Sequence, residues 1–162
     1  MTESFITVRW DGLDLVIKQL RAYRDRLKDL RPAWVSVLAY LRLTSIRQFR
    51  TQGARAGSPW KPLSTAYAKF KAKRWPGKPI MRASDRLFTS LAQKTRDSVV
   101  RPTRKYVEYG TRVPYARHHQ RGGGRLPQRK VIDLMLEDKR QVRKIVANHL
   151  ANQARMSGFE VI

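Results

Sequence analysis

Two long stretches of this chain contain basic residues and no acidic ones, and this feature constrains the fold more than any other. Residues 30–84 include 12 Lys or Arg and residues 109–132 include six more, without one Asp or Glu in either stretch. Side chains of one sign cannot pair with each other, so many of these cations must face water or a partner. We therefore predict a basic surface that attracts polyanions. The alternative is a general excess of Arg without a binding role.

The remaining composition is that of an ordinary globular chain. At 162 residues it suits one domain, and such a domain buries roughly 68–70% of its unfolded surface. The 35 basic residues stand against 12 acidic ones, a formal net charge of +23. The sequence has no cysteine, which excludes disulfides and thiolate metal sites. It shows no signal peptide and no membrane-spanning stretch, so we expect a soluble protein that is made in a cytoplasm and has no membrane partner.

Apolar periodicity predicts a strand and two helices in the first 53 residues. Residues 5–10 alternate as a strand does, and Asp11 is suited to cap a following helix. Pro32 fits the first turn of a second helix, which should end near Gly53. The apolar positions of the first helix are Leu13, Val16, Ile17, Leu20, Leu27 and Leu30, and those of the second are Trp34, Val35, Leu38, Leu41, Ile46 and Phe49. We expect the two helices to be antiparallel.

The middle of the chain reads as loops between short elements. Residues 53–63 form a loop with a single bulky anchor, Trp60, which we predict to be buried. A basic helix is predicted over residues 64–73. A further short helix should follow a cap at Ser84 or Asp85, and its inward residues should be Leu87, Phe88 and Leu91.

The last third of the chain predicts a hairpin, an irregular segment and a long helix. Residues 98–101 and 105–109 should pair around a turn at Pro102 and Thr103. Residues 113–129 are glycine-rich and expected to be irregular. A helix from about Leu136 to Gly158 should bury Val142, Ile145, Val146, His149, Leu150 and Met156. The fold class is thus α+β, with an N-terminal helical pair, a small mainly antiparallel sheet and a long C-terminal helix.

The sequence contains no recognisable catalytic, cofactor or metal site. His118 and His119 are adjacent and lack carboxylates at a metal-binding spacing, so we predict neither a metal site nor a nuclease base. His149 is expected to be a satisfied core or interface residue. The three glycines after Arg121 match no nucleotide-binding fingerprint, and an exposed loop that becomes ordered against a neighbouring subunit or DNA is the better interpretation. The residues of this predicted interface loop are His119, Gln120, Arg121, Gly122, Gly123, Gly124 and Arg125.

The predicted basic surface is centred on the helix of residues 64–73. Its members are Lys69, Lys71, Lys73, Arg74, Lys78 and Arg82, and they should meet DNA or an acidic partner. Tyr67, Phe70 and Trp75 are interleaved with them. Their spacing favours packing of one helix face on the core over stacking on bases.

Several short blocks follow one another between about residues 45 and 150. The first block has Phe49, Gly57, Trp60, Pro62, Leu63, Ser64, Thr65 and Lys69, and the next has Ile80, Met81, Leu87 and Leu91. The later blocks are Val107, Tyr109, Gly110 and Thr111; then Tyr115, Ala116, His119, Gln120 and Gly122; then Pro127, Arg129 and Leu134. In their order and spacing these blocks resemble the virion-morphogenesis, or tail-completion, family of Mu-like and related tailed phages. Departures from the family pattern are Asp85 at a usual glycine, and His118 and Arg121 at usual apolar positions.

The resemblance implies a non-enzymatic structural subunit of the phage neck or tail end. We expect a homo-oligomeric ring around the DNA path, with six subunits or alternatively twelve. Its partners would be other copies, neighbouring neck and tail-tube proteins and, without sequence preference, genomic DNA. It implies no cofactor. Trp60, Pro62, Leu63, Gly110 and Tyr115 would be structural motif residues, with Gly110 permitting a turn and His119 and Gln120 satisfying backbone groups. The alternative is a free basic nucleic-acid-binding protein or nuclease.

Overall fold

The computed structural model describes residues 12–124 and 126–160, which form an α+β fold. In chain order the elements are α1 (Leu13–Leu27), α2 (Arg31–Arg50), a 3-10 turn (Ala54–Ala56), α3 (Thr65–Arg74), α4 (Arg86–Ala92), β1 (Ser98–Pro102), β2 (Val107–Thr111), α5 (Ala116–Arg121) and α6 (Leu136–Arg155). The N-terminal helical pair, the antiparallel strands and the long C-terminal helix are confirmed. The strand expected at residues 5–10 and the cap at Asp11 lie outside the described residues.

Helix α2 is the element around which the body is built. Pro32 lies in its first turn, as predicted, where a missing N–H leaves no hydrogen bond unmade. The start of the helix is tied to the hairpin turn, because the Trp34 Nε1–H donates to the Thr103 carbonyl at 3.0 Å. Further along, the Ser45 hydroxyl lies 2.8 Å from the Tyr109 hydroxyl, which in turn donates to the Leu91 carbonyl at 2.7 Å. These contacts fix the hairpin and α4 against α2.

The hairpin differs slightly from its prediction, because β1 extends one residue further and β2 is shifted by two residues toward the C-terminus. β1 and β2 pair antiparallel from Ser98 opposite Thr111 to Pro102 opposite Val107. Pro102 is therefore the last residue of β1 and not part of the turn. A strand end tolerates proline because the missing N–H removes no central ladder bond. Thr103 begins the turn, and its N–H donates to the Tyr106 carbonyl at 2.8 Å.

A single apolar cluster lies where α2, α4, α5 and the loops on either side of them meet. Its buried members are Phe49, Trp60, Leu87, Leu91, Val113, Ala116 and Val131. The ring of Phe49 meets those of Trp60 and Phe88 edge-on, with centroids 5.3 and 5.4 Å apart. Edge-on pairs of this kind add about 0.5–1.5 kcal/mol to the burial of their area. The inward direction predicted for α4 is confirmed.

The start of α6 is held to the body by a buried ion pair. Arg55 Nη2 donates to both carboxylate oxygens of Asp138 at 2.5 and 2.6 Å, and the Tyr40 hydroxyl donates to the same carboxylate at 2.7 Å. Burial acts to raise the pKa of Asp138, but the hydrogen bonds from Arg55, Tyr40 and the Met135 N–H outweigh it, so the pKa lies below its ordinary value. The carboxylate therefore stays charged inside the fold.

Several apolar residues predicted to be buried are exposed. α1 has no buried residue, and Leu13, Val16 and Leu20 face solvent. Met156, predicted on the inner side of α6, is also exposed and lies just beyond the end of the helix at Arg155. His149 is half-buried, and its Nε2 has no hydrogen-bond partner among the described residues, so it is not the satisfied histidine that was expected.

Candidate functional site

A cleft of about 1060 Å³ lies between an arm of the chain and the body. The arm, residues 61–84, leaves the body at Trp60, forms α3 and returns at α4. The opposite wall runs from Tyr115 through α5 to Arg129. Among the lining residues are motif positions from distant parts of the sequence, namely Pro62, Leu63, Ser64, Ile80, Met81, Tyr115, His119, Pro127 and Arg129. The blocks noted in the sequence therefore converge at one site.

Trp60 anchors the base of the arm and is buried, as predicted. Its indole Nε1–H donates to the Lys130 carbonyl at 3.0 Å, and its backbone N–H donates to the Gln52 carbonyl at 2.7 Å. The chain passes so close to the ring that a Cβ on Gly53 would lie 2.6 Å from Trp60 Cδ1. Gly53 has a φ of 86°, so glycine serves both the turn and the close approach here.

Arg129 forms the floor of the cleft although it has no acidic partner among the described residues. It is only 4% exposed. Its Nε–H donates to the Lys61 carbonyl at 2.9 Å and its Nη2 to the Pro62 carbonyl at 3.0 Å, which holds the start of the arm. Burial lowers the pKa of this guanidinium, and the Tyr67 hydroxyl acts in the opposite direction. Apart from its place in a proline-x-arginine segment, no sequence pattern singles out this arginine.

Lys71 does not belong to the exposed basic surface, and that prediction is wrong. It is 5% exposed and is the single buried residue of α3. Its Nζ donates to the carbonyls of Lys78 and Pro79, at 2.9 Å for Pro79. A loop without strand partners leaves its carbonyls unsatisfied, and the long lysine stem brings a charged donor to them. Lys71 is thus an internal brace of the arm.

Gln120 satisfies the backbone beside α6, as predicted. Its Nε2 donates to the Ile132 carbonyl at 2.7 Å, and its Oε1 accepts from the N–H groups of Val131 and Ile132 at 2.9 and 3.1 Å. The side chain of His119 does not do so, because its buried Nδ1 has no partner in the described part of the chain. The backbone carbonyl of His119 does accept the Arg129 N–H, at 2.7 Å.

The segment predicted to be irregular contains a helix, α5, capped at Tyr115. The glycines that follow it have different roles. Gly122 has a φ of 72°, and a Cβ there would lie 2.9 Å from the Gln128 backbone nitrogen, so only glycine fits. Gly123 pairs with Leu126 through two backbone hydrogen bonds of 3.0 Å, which closes a tight turn. Arg121, Gly123 and Gly124 are exposed as expected of a loop, and Arg125 lies outside the described residues.

The aromatic residues of α3 do not pack on the core, which corrects their prediction. Tyr67 and Phe70 are exposed, and Trp75 is half-buried. The rings contact one another instead, with centroids 6.0 Å apart for Tyr67–Phe70 and 6.1 Å for Phe70–Trp75. Among the described helices and strands, none packs closely on α3, so the helix face that periodicity assigned to burial has no core beneath it. Tyr67 and Trp75 line the cleft.

The exposed basic surface is smaller than predicted. Lys78 and Arg82 both pair with Asp85, at 2.5 and 2.6 Å, and the Arg82 guanidinium lies 4.1 Å from the centre of the Phe88 ring. Lys69, Lys73 and Arg74 are exposed and have no carboxylate partner within the described residues. Of the six predicted cations, three thus remain available to a polyanion, namely Lys69, Lys73 and Arg74.

Two glycine-related positions differ from what was expected. Asp85 has a φ of 57°, the left-handed region in which glycine is favoured, and this explains why glycine is usual at this position of the family pattern. Its carboxylate serves the ion pairs and does not cap α4, although Asp85 occupies the N-cap position. Gly110, predicted to permit a turn, lies within β2 opposite Val99.

Helix α2 presents an apolar stripe to solvent. Val35, Ala39, Leu43 and Ile46 fall within about 80° of one another around the helix, at 3.6 residues per turn. All four are exposed, and Val35 reaches 66%. Val35 and Ile46 were predicted to be internal and are not. An exposed apolar stripe of this length is typical of a surface that another protein covers.

The described residues carry no group of three or more His, Cys, Asp or Glu side chains that could hold a metal ion. His118 is exposed and accepts a hydrogen bond from Arg117 at 3.3 Å. Helices long and apolar enough to cross a membrane are likewise absent from this part of the chain.

Comparison with known proteins gives one match. The model of the phage virion morphogenesis family matches residues 8–151, while no curated protein and no solved structure matches the chain. The match begins before α1, so it also includes α1 and the part of α2 that lay outside the blocks recognised in the sequence. It covers most of the 162 residues. The chain therefore belongs to the phage virion morphogenesis family, and its role is a structural one in the assembly of the phage virion.

Proposed function

We propose that this protein forms a homo-oligomeric ring at the phage neck or tail end, around the path of the DNA, as a tail-completion or head–tail joining subunit. The observation that carries the proposal is the exposed apolar stripe on α2. Burial of apolar area contributes roughly 25 cal/mol per Å², so a chain gains free energy when a neighbour covers such a surface. A virion assembly protein meets other copies of itself at high local concentration, which makes another copy the natural neighbour.

A closed ring follows from the geometry of identical contacts. When one face of a subunit binds a different face of the next copy, the assembly either closes by rotation or grows into a filament. A junction through which DNA passes requires the closed form. We favour six subunits, with twelve as the alternative, by analogy with the rotational symmetry of phage tails.

Three unpaired cations of α3 fit a position next to DNA or an acidic neighbour. Lys69, Lys73 and Arg74 all lie on this helix and are exposed. Phosphates would be contacted without sequence preference, because phosphate contacts carry no base information. No catalytic step is part of this role. A nuclease assay on duplex and single-stranded DNA, with added Mg²⁺, should give no cleavage.

The ring is tested by placing a charge in the stripe. Leu43→Arg should reduce the oligomer to smaller species in sedimentation velocity, because the new charge would be buried unpaired at the subunit contact. Tyr106→Arg is the matched control, since Tyr106 is an exposed residue at the hairpin turn. Its oligomers should equal those of the unmodified protein. Since subunits of net charge +23 repel one another, the measurement is repeated on complexes purified from infected cells. An unchanged oligomer for Leu43→Arg in both samples contradicts the proposed contact.

A further inference from the structure

The cleft between the arm and the body has the chemistry of a docking site. We propose that it binds an acidic segment of another virion protein, one in which a large apolar side chain lies beside a carboxylate. This proposal rests on the proposed place of the protein in the virion, because it names a partner there. It concerns a different surface from the α2 stripe.

The charge of the cleft is uniformly positive. Its lining includes Lys61, Lys71 and Arg129 and no Asp or Glu. The Nη1 of Arg129 has no hydrogen-bond partner among the described residues. This atom is also not completely enclosed by the protein. A guanidinium that is nearly buried and lacks a carboxylate is a strong attractor for an incoming anion, since charge-assisted hydrogen bonds are about twice as strong as neutral ones.

The walls of the cleft are apolar and aromatic. They are formed by Leu63, Tyr67, Trp75, Ile80, Met81 and Leu126. A volume of about 1060 Å³ is at the upper end of the range for small-molecule pockets and holds several side chains. An occupant that matches both the walls and the floor therefore carries apolar bulk together with a negative charge. A peptide segment with an acidic residue next to an aromatic or long aliphatic residue has both.

A second copy of this chain is a poor source of such a segment. Of its twelve acidic residues, Glu3 and Asp11 lie outside the described part, which leaves ten. Eight of those ten already form ion pairs within the chain, namely Asp25, Asp29, Asp85, Asp97, Glu108, Asp133, Glu137 and Asp138. The occupant is thus expected from a different, more acidic protein.

Duplex DNA fits the cleft less well than a peptide does. Its phosphates lie on a broad convex surface, whereas Arg129 lies at the floor of a concavity and is 4% exposed. Phosphates can reach the cations on the outside of the arm, Lys69, Lys73 and Arg74, without entering. The inside and outside of the arm therefore suit different partners.

Site-specific photo-crosslinking in the assembling phage tests the proposal. The photoreactive residue p-benzoylphenylalanine is placed at Tyr67, which lines the cleft, and in a matched control at Tyr106, which does not. The two tyrosines are 45% and 56% exposed, so the replacement is tolerated similarly at both. Ser84, an exposed residue on the arm side of the cleft, is a second test position in case replacement of Tyr67 affects folding.

Irradiation of the Tyr67 variant should join the protein to one segment of a different virion protein, and mass spectrometry should identify Asp or Glu beside an apolar residue there. The Tyr106 variant should not give this product. Crosslinks from both cleft positions to another copy of the chain or to DNA would overturn the proposal. So would a crosslinking yield at both cleft positions no higher than that at Tyr106. The oligomeric state of the same samples is measured separately. If the protein is monomeric but still gives the crosslink, the proposed ring is rejected and the proposed cleft partner is supported.

The crosslinked segment is then synthesised in two forms, with its carboxylates and with the corresponding amides. The carboxylate form should bind the purified protein at least about ten-fold more tightly in a fluorescence titration, because the amide cannot form a charge-assisted bond with Arg129. Equal affinity of the two peptides would show that the acidic group is not recognised.

Discussion

The two sides of helix α2 bury their apolar residues to very different extents. On one side Val37, Leu38 and Phe49 are buried. On the other side, Val35 and Leu43 face solvent. The first side is complete within one chain. The second side carries large apolar residues that no other described residue covers.

This difference indicates which parts of a small assembly protein are set by its own folding and which by its neighbours. A subunit must be stable before assembly, and the core cluster around Phe49 and Trp60 provides for that. In the proposed ring, its outer layer would remain open until other subunits cover it, as in interfaces whose centres resemble a protein core. We therefore expect substitutions on the two sides to act on different properties, stability on the inner side and assembly on the outer side.

The largest expected effect on stability is that of Trp60→Ala. Removal of the buried indole should lower the free energy of unfolding by roughly 3–5 kcal/mol, through lost burial and the cavity it leaves. Leu43→Ala is the control on the outer side, and its effect should stay within about 0.5 kcal/mol. Urea denaturation of the isolated subunit measures both. Similar losses for the two variants would mean that the stripe is part of the core and would remove the contrast.

The buried ion pair that holds the start of α6 to the body is tested at Asp138. Asp138→Asn should destabilise the fold by about 1.5–3 kcal/mol, because it weakens the hydrogen bonds from Arg55 and Tyr40. Since the pKa of Asp138 is below its ordinary value of 3.8 in the folded protein, its contribution is present above that value and is lost as the pH falls through the folded-state pKa. Denaturation curves between pH 7 and pH 2.5 should converge for the variant and the unmodified protein. Parallel curves would exclude this carboxylate as the cause.

Within α3 the contrast can be measured with two lysines that are two residues apart. Lys71→Met should cost about 1–3 kcal/mol, because the carbonyls of Lys78 and Pro79 lose their donor. Lys69→Met changes an exposed side chain and should alter stability by no more than about 0.5 kcal/mol. Thermal unfolding distinguishes them, and a larger loss for Lys69 would contradict the assigned roles.

The smallest expected effect on stability belongs to the outer cations of the arm. Replacing Lys69, Lys73 and Arg74 with Gln should leave the fold intact, because exposed charges contribute little. If these residues contact phosphates, the log–log slope of DNA affinity against salt should flatten by roughly three units, at about 0.9 per contact. An unchanged slope in the folded variant would remove them from the DNA path and favour an acidic protein partner. Joining of heads and tails would then be the assay.

Helix positions and the buried anchor were accessible to sequence analysis, because periodicity, Pro32 and the isolated Trp60 are local signals. The sides of the helices were harder to assign. Val35 and Ile46 carry the same apolar pattern as Leu38 and Leu41, and periodicity cannot tell a core from a face that awaits a partner. The predicted surface of six arm cations was equally hard to assign. The sequence does not show that Lys71 points inward, or that Asp85 forms ion pairs with Lys78 and Arg82.

The cleft could not be predicted because its parts are distant in sequence. The Arg129 side chain donates to backbone carbonyls 67 and 68 residues away. Because every residue has a backbone carbonyl, residue type does not reveal which ones accept these hydrogen bonds. The helix α5 was also missed, because three consecutive glycines after Arg121 suggested an irregular segment throughout. Gly122 is required there by its contact with the Gln128 backbone, which only the three-dimensional structure reveals.

An electron-microscopy reconstruction of the neck and tail end of purified virions tests the central claim most directly. We expect a closed ring of sixfold or related symmetry around the DNA path, in which Val35, Leu43 and Ile46 of each subunit are covered by the next subunit. The core around Phe49 and Trp60 should be unchanged from that of the single chain. Isolated single copies in the virion, or a ring in which the α2 stripe faces solvent, would contradict the account.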